Sequence, residues 1–270
     1  MERTDRMDQF GPIVRNWGYY GPAQRIGDLH VSQGQYMGGF VAGIMTLHSW
    51  LPKPPGHVGN ASSYPFPVRY MVVEGADQQR VHGCDEALLP ALIDTARRLE
   101  RDGCRMIAAT CGYFGHFQKE VADAVDAPVY LSAMVQVPWI RLALRRDQKI
   151  GILCGDAPHL TRSLFHACGV TDADYDRCVI YGAQDEPVFS TFVHKPGHYN
   201  VNTVREEIVG LAEKMVREHP DVGAILLECT DMPPYSAEIQ ARTNLPVYDS
   251  TTMIKFIGNT LCQRPYYGFI

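Results

Sequence analysis

An internal repeat around two cysteines constrains the fold of this chain more than any other feature of its sequence. When the segment from Ile107 is laid over the segment from Ile225 without a gap, Cys111 falls on Cys229. The match continues through Glu120 on Glu238, the Pro-Val-Tyr segments 128–130 on 246–248, and Ser132 on Ser250. Each copy contains an apolar run, the cysteine, a helix-like stretch and a short strand. The two cysteines are therefore predicted to lie at equivalent positions in two similar half-units.

Short apolar runs alternate with segments of helical periodicity along most of the chain. The predicted strands are 38–47, 68–76, 104–110, 128–132, 149–154, 177–182, 222–228 and 245–249, and the clearest helices are 84–102, 114–125, 135–146 and 200–219. This alternation is typical of parallel sheets covered by helices on both faces. We predict an α/β fold of two pseudo-symmetric doubly wound halves: an extension over 1–35, a first half over 36–148 and a second over 149–270. The last helix and the chain end could cross over to the first half.

Composition narrows the class of partner. With 270 residues and 46% hydrophobic content the chain can bury a large core, and its net charge of −5 comes without runs of Lys and Arg interleaved with aromatics. We therefore expect no nucleic-acid partner. The sequence shows neither a signal peptide nor about 20 uninterrupted apolar residues, so we expect no membrane partner and a cytoplasmic location. The eight cysteines include no C-x-x-C pair, and we expect them to be reduced and to hold no metal.

The repeat puts each cysteine directly after an apolar strand and before a helix-like segment. Doubly wound sheets bind ligands at the carboxyl ends of their strands, and the free N–H groups of a helix N-terminus lower a thiol pKa and attract carboxylates. Two such thiols facing one carbon could remove a proton beside a carboxylate and return one. We interpret Cys111 and Cys229 as catalytic groups for a small carboxylate substrate, with no cofactor required. The N–H groups that could stabilise the developing charge belong to Gly112, Tyr113, Thr230 and Asp231.

The segments AATCGYFGHFQ and ILLECTDMPPYSAEIQARTNLPVYDS carry a family resemblance. They resemble the aspartate/glutamate/hydantoin racemase superfamily, whose halves each contribute one cysteine. Within it the chain is most similar to the algal-type dimethylsulfoniopropionate (DMSP) lyases, and the resemblance extends from about residue 40 to 255. It rests on Cys111-Gly112-Tyr113, Phe117-Gln118, Glu228-Cys229-Thr230, Pro233-Pro234-Tyr235-Ser236 and the Pro55-Gly56 loop. The Asn-Thr pair that follows the first cysteine in racemases is absent, which argues against a simple transfer of amino-acid racemase activity.

The resemblance implies a lyase that removes the proton next to the DMSP carboxylate, so that dimethyl sulfide leaves and acrylate forms. It implies Cys229 as the base, although the repeat alone leaves either cysteine possible. It also implies that Gly155 and Asp156, at the end of the strand 149–154, border the pocket, and that the chain forms a homo-oligomer. A sulfonium cation favours aromatic faces. The aromatic candidates on or near the site loops are Trp50, Tyr64, Tyr113, Phe114 and Tyr235.

Other functions are compatible with the same residues. Two cysteines could also serve a cofactor-independent racemase or epimerase of an amino or hydroxy acid, or a related isomerase or decarboxylase. A binding protein without catalysis could use the same cleft, but binding alone does not need two thiols. The segment 151–156 lacks both the full dinucleotide pattern and the P-loop lysine, so it does not indicate a nucleotide site.

Overall fold

The fold is built on two parallel sheets. The computed structural model describes residues 11–15, 18, 20–21, 27–194, 197–198 and 200–270. Within these residues, two four-stranded sheets have the orders β2-β1-β3-β4 and β6-β5-β7-β8, and every pairing is parallel. The strands are Ala42–Thr46 (β1), Val68–Val72 (β2), Met106–Ala109 (β3), Val129–Tyr130 (β4), Lys149–Cys154 (β5), Cys178–Gly182 (β6), Val222–Leu227 (β7) and Val247–Asp249 (β8). The predicted α/β class with two similar halves is confirmed.

Helices connect the strands, as parallel pairing requires. They are Gln78–His82 (α1), Leu89–Arg101 (α2), Gln118–Ala124 (α3), Val137–Ala143 (α4), Arg162–Ala167 (α5), Asp172–Tyr175 (α6), Pro187–His194 (α7), Val201–Glu218 (α8), Ser236–Thr243 (α9) and Ser250–Leu261 (α10). The long α8 begins where the sequence indicates, because the side chain of Asn200 accepts hydrogen bonds from the N–H groups of Asn202 and Thr203. None of the described helices combines the length and the apolar content needed to cross a membrane.

The sequence repeat corresponds to a structural repeat. In the first sheet Ile107 pairs with Val129, and in the second sheet Ile225 pairs with Val247. These residues are the same ones that the repeat aligns. The strand carrying each cysteine therefore has the same neighbour in the same register, and both cysteines leave the sheet at its carboxyl edge.

The two halves share their core. The largest apolar cluster combines residues of both sheets, including Ile107 and Leu226. Helix α10 returns to the first sheet, where Ile254 packs with Ile44 and Met106. Burial of these aliphatic side chains on both sheets holds the halves together, so the crossover of the last helix fits the packing, whereas the boundary at residue 148 stays a prediction.

The proposed extension 1–35 lies partly outside the described residues. Its described part forms no helix or strand before β1. Arg15 donates to the buried carboxylate of Glu100 on α2 at 3.0 Å and pairs with Asp126 at 2.6 Å. This part of the chain is therefore anchored on α2 and on the loop before β4.

The helical segments after both cysteines begin differently from the prediction. A continuous helix over 114–125 was expected, but a 3₁₀ helix, Gly112–Phe117, comes first and α3 follows. After Cys229 a turn and a 3₁₀ helix, Pro233–Tyr235, precede α9. The prolines explain the second case, since they have no N–H to donate within a helix.

Candidate active site

The carboxyl ends of β3, β5 and β7 surround a cavity of about 80 Å³. Both repeat cysteines line this cavity. Of the residues proposed from sequence, its wall contains Cys111, Gly112, Tyr113, Gly155, Asp156, Cys229, Thr230 and Asp231. The repeat therefore brings the two thiols to one small space, which is the arrangement that proton transfer on a single carbon needs.

Cys111 is the residue before the 3₁₀ helix Gly112–Phe117 and is itself buried. The backbone N–H groups of Tyr113 and Phe114 lie near its sulfur and favour the thiolate. Burial is the larger effect, however, and together with the nearby carboxyl of Glu228 it raises the pKa of Cys111 far above the ordinary thiol value. At neutral pH Cys111 is therefore a thiol.

Cys229 has a side-chain partner for its proton. Its Sγ donates to Oδ2 of Asp231 over 3.5 Å, and Oδ1 of Asp231 accepts from Nε2 of His57 at 2.8 Å. Nδ1 of His57 accepts from the N–H of Gly59 at 2.7 Å, which fixes the ring proton on Nε2. The sequence of contacts is therefore Cys229 to Asp231 to His57, with Asp231 as the acceptor for both.

Burial and hydrogen bonding determine the protonation of Asp231 and Cys229. Burial is the largest single influence and acts to raise the pKa of Asp231, but the interactions with His57, Cys229 and Lys53 together outweigh it and hold that pKa below its usual range. Burial and the charge of Asp231 raise the pKa of Cys229 well above the ordinary value. The lowering of the thiol pKa that the nearby N–H groups were expected to cause is outweighed at both cysteines, because burial and the neighbouring carboxylates raise it.

Glu228 is a buried acid directly beside the thiols. It is fully buried, and neither carboxyl oxygen has a hydrogen-bond partner at good geometry within the described residues. Burial raises its pKa to about 8, and the nearby N–H of Gly155 offsets only part of this effect. Its carboxyl covers Gly112, where a methyl group would come within 1.9 Å of Oε1. Gly112 is therefore required by close packing across the two halves.

Tyr113 links the halves at the edge of the cavity. Its hydroxyl donates to the carbonyl of Asp156 at 2.6 Å and accepts from the N–H of Asp156 at 3.0 Å. Gly155 lies between this link and the second thiol, and a methyl group at Gly155 would lie 3.4 Å from Sγ of Cys229. The main chain 155–156 and Tyr113 thus form one side of the cavity.

Four of the five aromatic residues proposed from sequence lie outside the cavity wall. Phe114 is fully buried in the shared core, and Tyr235 is buried in the core of the second sheet. Trp50 is 65% exposed and packs edge-on against His48. Tyr64, the other aromatic considered, packs in the core under α10 and on Phe66. Tyr113 is the one proposed aromatic in the wall, and Phe189 of α7 is a second, which the sequence did not indicate.

Comparison with known proteins assigns the family. The sequence profile described as Asp/Glu/Hydantoin racemase matches residues 77–254. The chain belongs to this racemase family. A dimethylsulfoniopropionate lyase of Durusdinium sp. clade D is 32% identical over 236 residues, which are 84% of this chain and 76% of that protein. Dimethylsulfoniopropionate lyase 6 of Emiliania huxleyi (strain CCMP1516) is also 32% identical, over 84% of this chain. The chain spans 61% of the length of that Emiliania relative.

Solved structures share the racemase-family fold. An allantoin racemase from Pseudomonas fluorescens has a TM-score of 0.56 at 13% identity, covering 85% of this chain and 100% of its own. Unliganded arylmalonate decarboxylase has a TM-score of 0.53 at 15% identity, covering 85% and 97%. At this low identity the similarity shows the fold alone.

One wall of the cavity precedes the residues matched to the racemase family. The loop after β1 contributes Leu47, Ser49, Leu51, Lys53 and His57. At Gly56 φ is +99°, and the backbone of Pro234 lies where a side chain would be, so the loop packs closely on the turn after Cys229. The family resemblance included the Pro55-Gly56 loop, but the sequence did not indicate His57 as the partner of Asp231.

Proposed function

We propose that this chain is a lyase that cleaves DMSP to dimethyl sulfide and acrylate, with two thiols carrying the proton chemistry and no cofactor taking part. The observation that carries the proposal is the pair of repeat-related cysteines on one small cavity. The assignment of substrate is supported by relatives named dimethylsulfoniopropionate lyases that match 84% of the chain. We propose a small zwitterionic carboxylate as the ligand of this cavity.

The reaction needs one base and one leaving group. A thiolate removes a proton from the carbon beside the carboxylate, and that electron pair forms the new carbon–carbon double bond. The bond from the next carbon to sulfur breaks, and its electron pair leaves with dimethyl sulfide. Acrylate, dimethyl sulfide and a protonated thiol result, and the thiol returns its proton to solvent before the next cycle. One cysteine suffices for this sequence, so the second assists.

Charge in the cavity suits a substrate with a cationic sulfur. The carboxylates of Asp231 and Asp156 line the wall, and the rings of Tyr113 and Phe189 offer aromatic faces. A sulfonium bound near these groups would stabilise a thiolate and lower the thiol pKa that burial raises. Lys53 also lines the wall and is the candidate partner for the substrate carboxylate.

Cys229 is our candidate base. Its thiol already donates to Asp231, whereas Cys111 has only main-chain N–H groups near its sulfur. When a sulfonium enters, its positive charge stabilises the thiolate on Cys229, and the thiol proton leaves to solvent while Asp231 stays ionised. His57 holds the carboxylate of Asp231 in place beside the thiol. In this scheme Cys111 stabilises and orients the substrate from the opposite side.

A racemase or epimerase is the second candidate. The presence of a second thiol favours it, because a base on one face and an acid on the other are what inversion at a carbon requires. The family and the fold neighbours are consistent with it. Exchange of solvent deuterium into amino and hydroxy acids would detect this activity.

Dimethyl sulfide in the headspace above purified protein and DMSP is the decisive measurement. We expect release by the parent chain and by a Cys262→Ala control, since Cys262 lies outside the cavity wall, and loss of release in Cys229→Ala. Parallel measurement of acrylate checks that the two products form in equal amounts. A folded protein that releases no dimethyl sulfide, or Cys229→Ala that releases it at the parental rate, contradicts the proposal.

Two further expectations stay predictions. The homo-oligomer is checked by the mass of the protein in solution. A pair of exposed aromatics, Trp139 and Phe256, stacks with ring centroids 5.7 Å apart and gives an apolar face that suits such contacts. The cytoplasmic location is checked by imaging a tagged chain in its own cells.

A further inference from the structure

Two histidines and an aspartate cluster at the edge of the cavity, outside the proposed proton-transfer groups. Nδ1 of His159 lies 2.8 Å from Oδ2 of Asp156, and Nδ1 of His82 lies 3.7 Å from the same oxygen. One nitrogen or oxygen atom from each of the three residues lies within 4.8 Å of the others. We propose that His82, Asp156 and His159 bind one divalent transition-metal ion of the zinc, cobalt and nickel class.

The spacing of these atoms fits coordination with small side-chain rotations. Zinc holds imidazole nitrogen and carboxylate oxygen at about 2.0–2.2 Å, so neighbouring ligand atoms in a tetrahedral site lie roughly 3.3 Å apart. The observed distances of 2.8 and 3.7 Å lie on either side of that separation. His159 is about half exposed and can adjust its position at little cost.

The donor set selects the class of ion. Two imidazoles and one carboxylate suit zinc, cobalt and nickel better than calcium or magnesium, which prefer oxygen ligands. Three protein ligands leave a coordination position open. Because His82 and Asp156 also line the cavity, the bound ion would border the space that the substrate occupies.

A third imidazole, that of His116, lies near His159. Nε2 of His116 is buried and has no hydrogen-bond partner within the described part of the chain. His116 is not one of the three residues whose ligand atoms lie within 4.8 Å of one another, so the proposed site consists of His82, Asp156 and His159.

The ion would join the two halves of the fold. His82 belongs to α1 in the first half, and its ring lies 4.0 Å from that of Tyr113. Asp156 and His159 follow β5 in the second half. Tyr113 already bonds to the main chain of Asp156, so the proposed site extends an existing contact between the halves. Binding would stabilise the folded chain against unfolding.

Calorimetric titration with Zn²⁺ alone tests the site. We expect one ion per parent chain, and affinity at least about tenfold weaker in His159→Ala and in Asp156→Asn. Asp156→Asn keeps the main-chain bonds to Tyr113, so it should fold. His166→Ala is the matched control, because His166 also pairs with an aspartate, Asp172, at 3.0 Å but lies outside the cluster. Its affinity should stay within about twofold of the parent.

The two cavity thiols form a competing site for zinc. The variants distinguish zinc bound by these thiols from zinc bound by His82, Asp156 and His159. A parent chain that binds no Zn²⁺, or equal affinity in the parent, His159→Ala and Asp156→Asn, overturns the proposal. The absorption spectrum with Co²⁺ alone gives a second readout, because thiolate ligands add a charge-transfer band that imidazole and carboxylate lack. Such a band in the one-to-one complex also overturns it. The Zn²⁺ and Co²⁺ measurements use no lyase substrate, so failure of the metal proposal and failure of the lyase proposal are distinguishable.

Discussion

The two cysteine junctions share a backbone framework and differ in the chemistry around it. The first reads Thr110-Cys111-Gly112-Tyr113, and the second, aligned by the repeat, reads Glu228-Cys229-Thr230-Asp231. Each junction also reaches into the other. The carboxyl of Glu228 covers Gly112, and the hydroxyl of Thr230 donates to the carbonyl of Thr110.

The two thiols differ in the hydrogen-bond acceptors beside them. Asp231, in place of Tyr113, provides a carboxylate for Cys229, whereas Tyr113 turns away and bonds to Asp156. A repeated framework thus presents two thiols to one cavity, and its unequal neighbours give them unequal roles. The pseudo-symmetry therefore positions the two thiols but does not determine which of them acts as the base.

The largest effect should come from exchanging the thiols for hydroxyls. We expect Cys229→Ser to lower kcat/KM for DMSP about 10³-fold or more, because a hydroxyl is a far weaker acid than a thiol, and Cys111→Ser to lower it by about 10- to 100-fold. Initial rates of dimethyl sulfide release measure both. Equal losses would mean that the two thiols act as one unit, and the reverse order would make Cys111 the base.

His57 should matter next, through Asp231. In His57→Ala the hydrogen bond that lowers the pKa of Asp231 is gone, so that pKa rises and the carboxylate is lost at a higher pH on acidification. We expect kcat/KM to fall about 10- to 100-fold and its acid limb to move to higher pH. His48→Ala is the control from the same loop. An unchanged acid limb would show that His57 acts only in folding.

Substitution of Gly112 tests the close contact between the two cysteine junctions. Gly112→Ala should destabilise the fold by about 1–3 kcal/mol, since the new methyl group meets the buried carboxyl of Glu228. The aligned position in the second half, Thr230, has room for a side chain. Gly210→Ala on α8 is the control, because no atom lies within 4 Å of its added methyl group, and it should be neutral or slightly stabilising. Urea unfolding measures both, and equal effects would contradict the packing argument.

Ionisation of Glu228 should make the stability of the folded chain depend on pH. Its pKa of about 8 in the folded chain lies above the ordinary 4.5, so between these values the folded state binds the proton more tightly than the unfolded state. This stabilising contribution is complete below about pH 4.5 and is lost as the pH rises towards 8. Relative to the parent, Glu228→Gln should become more stable with rising pH in that interval, by about 1.4 kcal/mol per pH unit at most. Parallel curves for the two proteins would mean that Glu228 ionises normally.

Local sequence signals predicted much of the framework. The strand 149–154 is predicted with its observed ends, because it is a short apolar run with polar flanks, and α8 follows from the helical period after Asn200. Two short cavity elements, α1 and α7, were missed. Helices of 5 and 8 residues give too little periodicity to be detected.

The arrangement of side chains in the cavity depends on contacts between residues far apart in the chain, which local sequence patterns do not show. His57 and Asp231 are 174 positions apart in the chain, and only the docking of the loop after β1 on Pro234 brings them together. The thiol pKa values show the same limit. The N–H groups after Cys111 follow from sequence, but the burial that outweighs them comes from both halves.

The sequence by itself determined the α/β fold and the presence of two equivalent cysteines at strand ends, because repeats and hydrophobic periodicity are local properties of the chain. Tertiary structure alone decided that Cys229 has a proton acceptor, that Glu228 is buried against Gly112, and that His82 meets Asp156 and His159. The physical reason is that hydrogen bonding, desolvation and coordination act over a few ångströms in space, whatever the separation along the chain.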